Sequence, residues 1–199
     1  MQRRLENIKR KGLGIRAPLI LVILSLQCGG PRRFVHPEAD ISYYERLALL
    51  PFENLSADRV AGEKATNAFL TELLITERFV VVEPGRVMRA AREIGLSSPI
   101  KAGELTPDEI KELGEALGVE ALLRGVVREY EMIRIGQTQY PLITQDVELL
   151  DVATGTTVWV ISHTKKGGPN LPFVSVGETF TLGELLQDIC REIVSKIPK

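Results

Sequence analysis

The chain has 199 residues, 44% hydrophobic and 26% charged, which suits one packed domain with a short tail and excludes wholesale disorder. Its 25 basic and 26 acidic residues leave a net charge of −1, which argues against nucleic-acid wrapping by bulk charge. Two cysteines and two histidines exclude a Cys/His zinc cluster built within one chain and leave little for nucleophile–base catalysis. Residues 1–16 carry Arg3, Arg4, Lys9, Arg10, Lys11 and Arg16 against Glu6 alone, and residues 17–27 read Ala-Pro-Leu-Ile-Leu-Val-Ile-Leu-Ser-Leu-Gln. A basic stretch followed by a short apolar run is the pattern of an export signal. The 11 residues of that run would rise roughly 16 Å as a helix against a hydrocarbon core of about 30 Å, too short to span comfortably. Beyond residue 27 there remain 19 basic and 25 acidic residues, a net charge of −6.

Cys28 follows the apolar run and precedes Gly29-Gly30-Pro31, with Ser25, Leu26 and Gln27 before it. Here the chain resembles a bacterial lipoprotein precursor, whose cysteine is acylated and becomes the mature N-terminus. The resemblance implies attachment to the membrane through lipid on Cys28, palmitate included, and Gly29 in place of aspartate favours the outer membrane, facing the periplasm. Residues 28–44 mix Gly, Pro and charge without a period and predict a tether. The domain organisation is therefore a signal segment over 1–27, a tether over 28–44 and one domain over 45–199.

Within that domain Leu47–Phe52 is a short apolar run ended near Pro51, a strand by length and flanks. Residues 54–58 predict a turn with two helix-capping candidates, and 59–76 place Ala61, Ala65, Ala68, Phe69 and Leu73 at helical spacing. Phe79–Val82 is β-branched and continuous, predicting a strand buried on both faces. Pro84-Gly85 opens a helix with Val87, Ala90, Ala91 and Ile94 on one side and Gly95 as its stop. Thr106-Pro107-Asp108-Glu109 combines a capping Thr, Pro at the first helical position and Glu three residues after the cap, predicting a helix that ends at Gly118. Strands are predicted over 120–135, 143–151 and 156–161, with a tight connection at Asp151–Gly155 and a loop over 163–178. Leu182, Leu185, Leu186, Ile189, Cys190, Ile193, Val194 and Ile197 share one helical face, predicting a closing helix. Alternation at the front and a run of strands behind predict an α/β (α+β) domain, a mixed sheet with helices packed on it.

Several residues could carry chemistry. Cys190 lies in an apolar stripe and is expected to be a buried core residue. Ser162-His163 beside Asp146 or Asp151 has the composition of a hydrolase constellation, but no G-x-S-x-G elbow precedes it, and surface polar positions are expected. Asp146 and Glu148 alternate with Val147 and Leu149 as the wet face of a strand, and Asp151 starts a turn. Gly85 and Gly95 do not form a phosphate loop, His36 falls in the tether, and Trp159 reads as core. No catalytic, metal or cofactor site is predicted, and an enzyme is not expected.

Arg46-Leu-Ala-Leu-Leu-Pro-Phe-Glu-Asn-Leu-Ser56, Ala61-Gly62-Glu63 and Phe79–Glu83 are followed by Leu113-Gly114-x-x-Leu117-Gly118-Val119-x-Ala121-Leu122-Leu123-x-Gly125 and Leu149-Leu150-Asp151-x-x-Thr154-Gly155-x-x-Val158-Trp159. In that order these motifs resemble the curli-secretion (CsgG-type) lipoprotein family, whose core is similar to penicillin-binding-protein activator lipoproteins and to the N-terminal domain of TolB. The resemblance covers about residues 44–198. It implies a non-enzymatic envelope lipoprotein that binds an envelope protein partner, with a homo-oligomer among the assemblies it allows, and that assists assembly, secretion or regulation of envelope machinery; nucleic acid is not an expected partner. The alternative it carries is a self-assembling secretion-channel subunit of the outer membrane. Against that alternative, neither 128–143 nor 162–179 alternates over the roughly 9–11 residues that each membrane strand needs.

Overall fold

A computed structural model describes residues 30–96, 105–168 and 179–198. Among these residues the elements run β1 (Arg32–Val35), β2 (Arg46–Leu49), β3 (Glu53–Asn54), α1 (Ala61–Ile75), β4 (Val80–Val82), α2 (Pro84–Glu93), α3 (Pro107–Leu117), β5 (Ala121–Ile135), β6 (Thr138–Asp151), β7 (Thr157–Lys166) and α4 (Leu182–Ser195). The strands form one mixed sheet in the order β1-β7-β6-β5-β2-β4, and β3 adds to β5 beyond the break at Pro51. β2 is parallel to both β4 and β5, whereas β5-β6-β7-β1 is antiparallel throughout. The fold is the mixed sheet with packed helices that the residue pattern predicts.

The pleat divides the core in two. Leu47, Leu49, Leu123, Val147, Leu149, Trp159 and Ile161 face α1 and α4, which contribute Ala61, Ala65, Phe69 and Leu73 and the Leu185–Ile197 stripe. Ala48, Leu50, Leu122 and Leu150 face the other way, against Val87, Ala90 and Ala91 of α2 and Ile110, Leu113 and Leu117 of α3. The α3 start is the predicted capping box. Thr106 Oγ1 accepts from the Glu109 amide at 3.3 Å, and Glu109 Oε2 accepts from the Thr106 amide at 2.8 Å. Its end is Gly118 at φ 63°, a left-handed cap that a residue with a Cβ adopts only at a cost.

Four expectations change. The stretch 28–44 is not tether throughout: from Arg32 the chain is an edge strand on β7, and Ile41 is buried under a 3-10 turn, because strand pairing satisfies backbone groups that free chain would leave to water. Phe79–Val82 is not buried on both faces. It ends the sheet as β4, and Val80 is 56% exposed. β6 begins at Thr138 rather than 143, since residues 138–142 pair with 131–135 across a turn whose Gly136 sits at φ 64°. β7 continues to Lys166 rather than ending at 161, because β6 offers it a ladder as far as Leu142.

Gly125 is required by packing: a Cβ there would overlap the Phe52 ring, itself held against Phe69 at a centroid separation of 5.3 Å. Gly125→Ala is expected to lower stability by about 1–3 kcal/mol through overpacking. Phe52→Leu in the same chain should recover part of the loss, and urea unfolding checks both.

Candidate functional site

The residues singled out above fall into separate environments. Cys28 lies outside the described residues. Cys190 is fully buried on α4, and burial pushes its thiol up to about 12 even though a weak hydrogen bond to Gln145 Oε1, at 3.8 Å, pulls the other way. Trp159 is core. His36 is half-buried, with its ring edge-on to Phe34 and its Nδ1 accepting from the Glu38 amide at 3.3 Å. Asp151 holds a turn by accepting from the Thr154 amide at 2.9 Å, and it also accepts from the Tyr44 hydroxyl at 3.2 Å. Burial first, and Asp151 next, raise the Tyr44 hydroxyl to about 12.

The hydrolase constellation does not assemble. In the β6–β7 register Asp146 pairs with Ser162 and Gln145 with His163, so the pleat sends Asp146 and His163 to opposite faces. On the face away from α1 and α4, Asp146 and Glu148 are met across the ladder by arginines. Arg128 bonds Asp146, and Arg124 Nη2 lies 2.7 Å from Glu148 Oε2. Thr144 and Thr164 hydroxyls meet at 2.9 Å on the same face, and Thr144 donates to Glu129. This half of the sheet is wet and charge-paired, as the alternation predicts. Among the described residues no group of three or more His, Cys, Asp or Glu is placed to hold a metal ion.

His163 is the residue whose surroundings were least expected. It is buried within β7, not a surface position after a strand. Its Nε2 lies 2.7 Å from Glu192 Oε2, while Lys165 Nζ lies 2.6 Å from Glu192 Oε1 and 3.6 Å from Asp188. Arg191 continues the chain, 3.4 Å from Asp188 and 3.5 Å from the buried Glu72 of α1. His163 and Lys165 share a strand face, and Asp188 and Glu192 share a helix face one turn apart, so the two periods meet along this line. Sequence reading missed Lys165, Asp188, Glu192 and Glu72 because it ended β7 too early. The signal available was the Asp188/Glu192 pair at i, i+4 opposite a basic strand end. The arrangement ties β7, α4 and α1 together, and every chemistry-bearing side chain in it is already occupied by a neighbour.

An open cleft of about 700 Å³ lies between the 3-10 turn and the ends of α1 and α4, lined by Tyr44, Glu45, Thr76, Phe79 and Arg78 among others. Arg78 donates to the Ile197 carbonyl at 2.8 Å and to that of Pro198, and burial lowers its pKa from the usual arginine value. It therefore serves the unsatisfied carbonyls at the α4 end.

Large apolar side chains stand exposed at several places: Leu74 and Ile75 at the end of α1, Leu55 after β3, and others at the sheet's extremities. Phe34 (48% exposed) and Val35 are on β1, Val80 is on β4, and Met132 and Ile135 are near the turn of the β5–β6 hairpin. No helix among the described residues is long and apolar enough to cross a membrane.

No protein-family model matches the chain, and no curated protein matches its sequence. Solved structures do. A PelC dodecamer variant from Paraburkholderia phytofirmans aligns over 86% of this chain and 100% of that one, with a TM-score of 0.58 and 16% identity. Lipoprotein GNA1162 from Neisseria meningitidis aligns over 76% and 99%, at 0.54 and 18%. The LpoB C-terminal domain from Salmonella enterica aligns more loosely, over 61% and 82%, at 0.46 and 17%, and adds nothing to the assignment. The fold is thus shared with PelC and GNA1162 over 86% and 76% of this chain.

Lys165 and His163 give the network a pH dependence of known sign. Burial alone would raise the Glu192 carboxyl, but hydrogen bonds from Lys165 and His163 outweigh it and hold its pKa below the ordinary glutamate value. Stability from a depressed carboxyl is present above its unfolded pKa and lost as pH falls through the folded one. Glu192→Gln is therefore expected to cost at most ~1 kcal/mol at neutral pH, discounted for the 47% exposure of the side chain. The difference from wild type should vanish below the glutamate range in a denaturation series across pH.

Proposed function

We propose that this chain is a lipid-anchored bacterial envelope protein, acylated at Cys28, that works by binding a protein partner in the periplasm rather than by turnover. The observation that carries the reading is a division of labour on the domain. The candidate reactive groups of the described residues, His163, Cys190, Asp146 and Glu148, are engaged with partners inside the fold, while apolar side chains stand exposed on the β4 edge, near the hairpin turn and at the end of α1. Exposed sheet edges are the usual sites of strand addition by a partner. The basic stretch, the short apolar run and Cys28 supply the anchor, and Gly29 favours the outer membrane. Two structures that share the fold support the same reading, one of them named a lipoprotein and the other a dodecamer. A homo-oligomer and membership of the CsgG-type group, through the Leu-Pro-Phe-x-Asn and Leu-Leu-Asp-x-x-Thr-Gly motifs, belong to this proposal.

The secretion-channel alternative would draw its membrane strands from the β5–β6 hairpin. Beyond the last β7 pairing at Leu142 only 132–135 and 138–141 remain as a two-stranded arm, short of the roughly 9–11 residues per strand that a bilayer needs.

Intact-mass measurement on protein extracted from membranes tests the anchor: a chain beginning at acylated Cys28 is expected, and Cys28→Ser should release it. A mass beginning at Met1, or unchanged attachment of Cys28→Ser, would overturn it. Cross-linking in cells should recover one stoichiometric envelope protein. Robust hydrolase activity that His163→Ala abolishes would replace binding with catalysis.

A further inference from the structure

We propose that the β1 edge of the sheet lies in the headgroup layer of the membrane, with Arg32 and Arg33 on lipid phosphates and Phe34 in the interface. This rests on acylation of Cys28. Only residues 29–31 separate that cysteine from Arg32, the first residue of β1. Four backbone steps reach at most roughly 14 Å when fully extended. The headgroup region is itself about 5–7 Å thick on each side, the difference between the whole bilayer and its hydrocarbon core. A domain joined so closely stays within roughly 14 Å of its lipid, and the first element beyond the anchor is β1.

β1 has the composition for that position. All four residues, Arg-Arg-Phe-Val, are exposed, and β1 pairs only with β7, so its outer backbone groups face away from the sheet. Phe34 and Val35 are the apolar members, and arginine beside an aromatic suits the boundary between headgroup and acyl chain. Charge selects the same edge. Residues 29–37 hold Arg32 and Arg33 and no acid, while residues 38–199 hold 17 basic and 25 acidic residues, a net charge of −8. An anionic bilayer repels the body of the domain and attracts this strand, each arginine contributing about fivefold to the docked population. The occupant is therefore lipid; a second copy adding its strand to the same edge is the competing outcome.

The test uses the mature lipoprotein in vesicles of phosphatidylethanolamine and phosphatidylglycerol. Phe34→Cys, with Val35→Cys as a second site, is labelled with an environment-sensitive thiol fluorophore, and Val80→Cys on the opposite edge is the reference; buried Cys190 does not compete for label. The expected result is quenching of position 34 by nitroxide lipids, with iodide quenching several-fold weaker than at position 80. Arg32→Ala with Arg33→Ala should restore iodide access. Equal iodide access at 34 and 80 in acylated protein would overturn the docking and leave the anchor intact. Shielding from iodide without lipid quenching would overturn it in favour of a second copy. Absence of an acyl mass on Cys28 would overturn both readings.

Discussion

β5 is shared by three strands at once, and the layout follows from how that sharing is reached. Its inner residues Ala121–Leu123 pair with β2 on one edge and with Leu149–Asp151 on the other, and Val126-Val127 carry β3 after Pro51 interrupts the first ladder. A parallel neighbour cannot be joined by a hairpin; it needs a crossover. From β2 the chain crosses through α1 to β4 on one side, then returns through α2 and α3 to β5 on the other. Right-handed crossovers running in opposite directions along a sheet place their helices on opposite faces, and α1 and the α2–α3 pair do lie on opposite faces. The two apolar clusters therefore lie on opposite faces because β2 sits between β4 and β5.

The antiparallel half obeys a looser rule. Strands β5-β6-β7 follow one another in the chain, β1 adds from the other end of it, and all four need cover on one face only, which α4 supplies. Their other face keeps Arg124–Glu148, Arg128–Asp146 and Thr144–Thr164 in register across the ladder. Such pairs add little to stability, but they fix register and leave the surface charged, a safeguard for a sheet that has two open edges.

Beneath α4 the same sheet carries a polar line. His163 and Gln145 are cross-strand neighbours, both buried, and the helix meets them with Glu192 and Cys190. The helix brings a strong partner to His163 and only the Cys190 thiol to the Gln145 carbonyl oxygen, and the ion pairs through Lys165 and Arg191 run from this line to Glu72 on α1. Residue types that look catalytic in a sequence serve here to orient one helix on a sheet.

Local chemistry by itself determined the helices and, β1 and β3 apart, the order of the elements. The Thr106–Glu109 box and the α4 stripe act within a few residues of the chain, so they are readable one position at a time. The alternation Asp146-Val147-Glu148-Leu149 likewise settled which side of β6 is wet. Strand length and edge status were decided only by tertiary pairing: Arg32–Val35 is extended because β7 lies beside it, and Thr164–Lys166 because β6 does. A β-strand has no internal hydrogen bonds, so its limits belong to its neighbour. That is why the contacts of His163 with Glu192, 29 residues away in the chain, could not be seen until the ladder had been followed to its end.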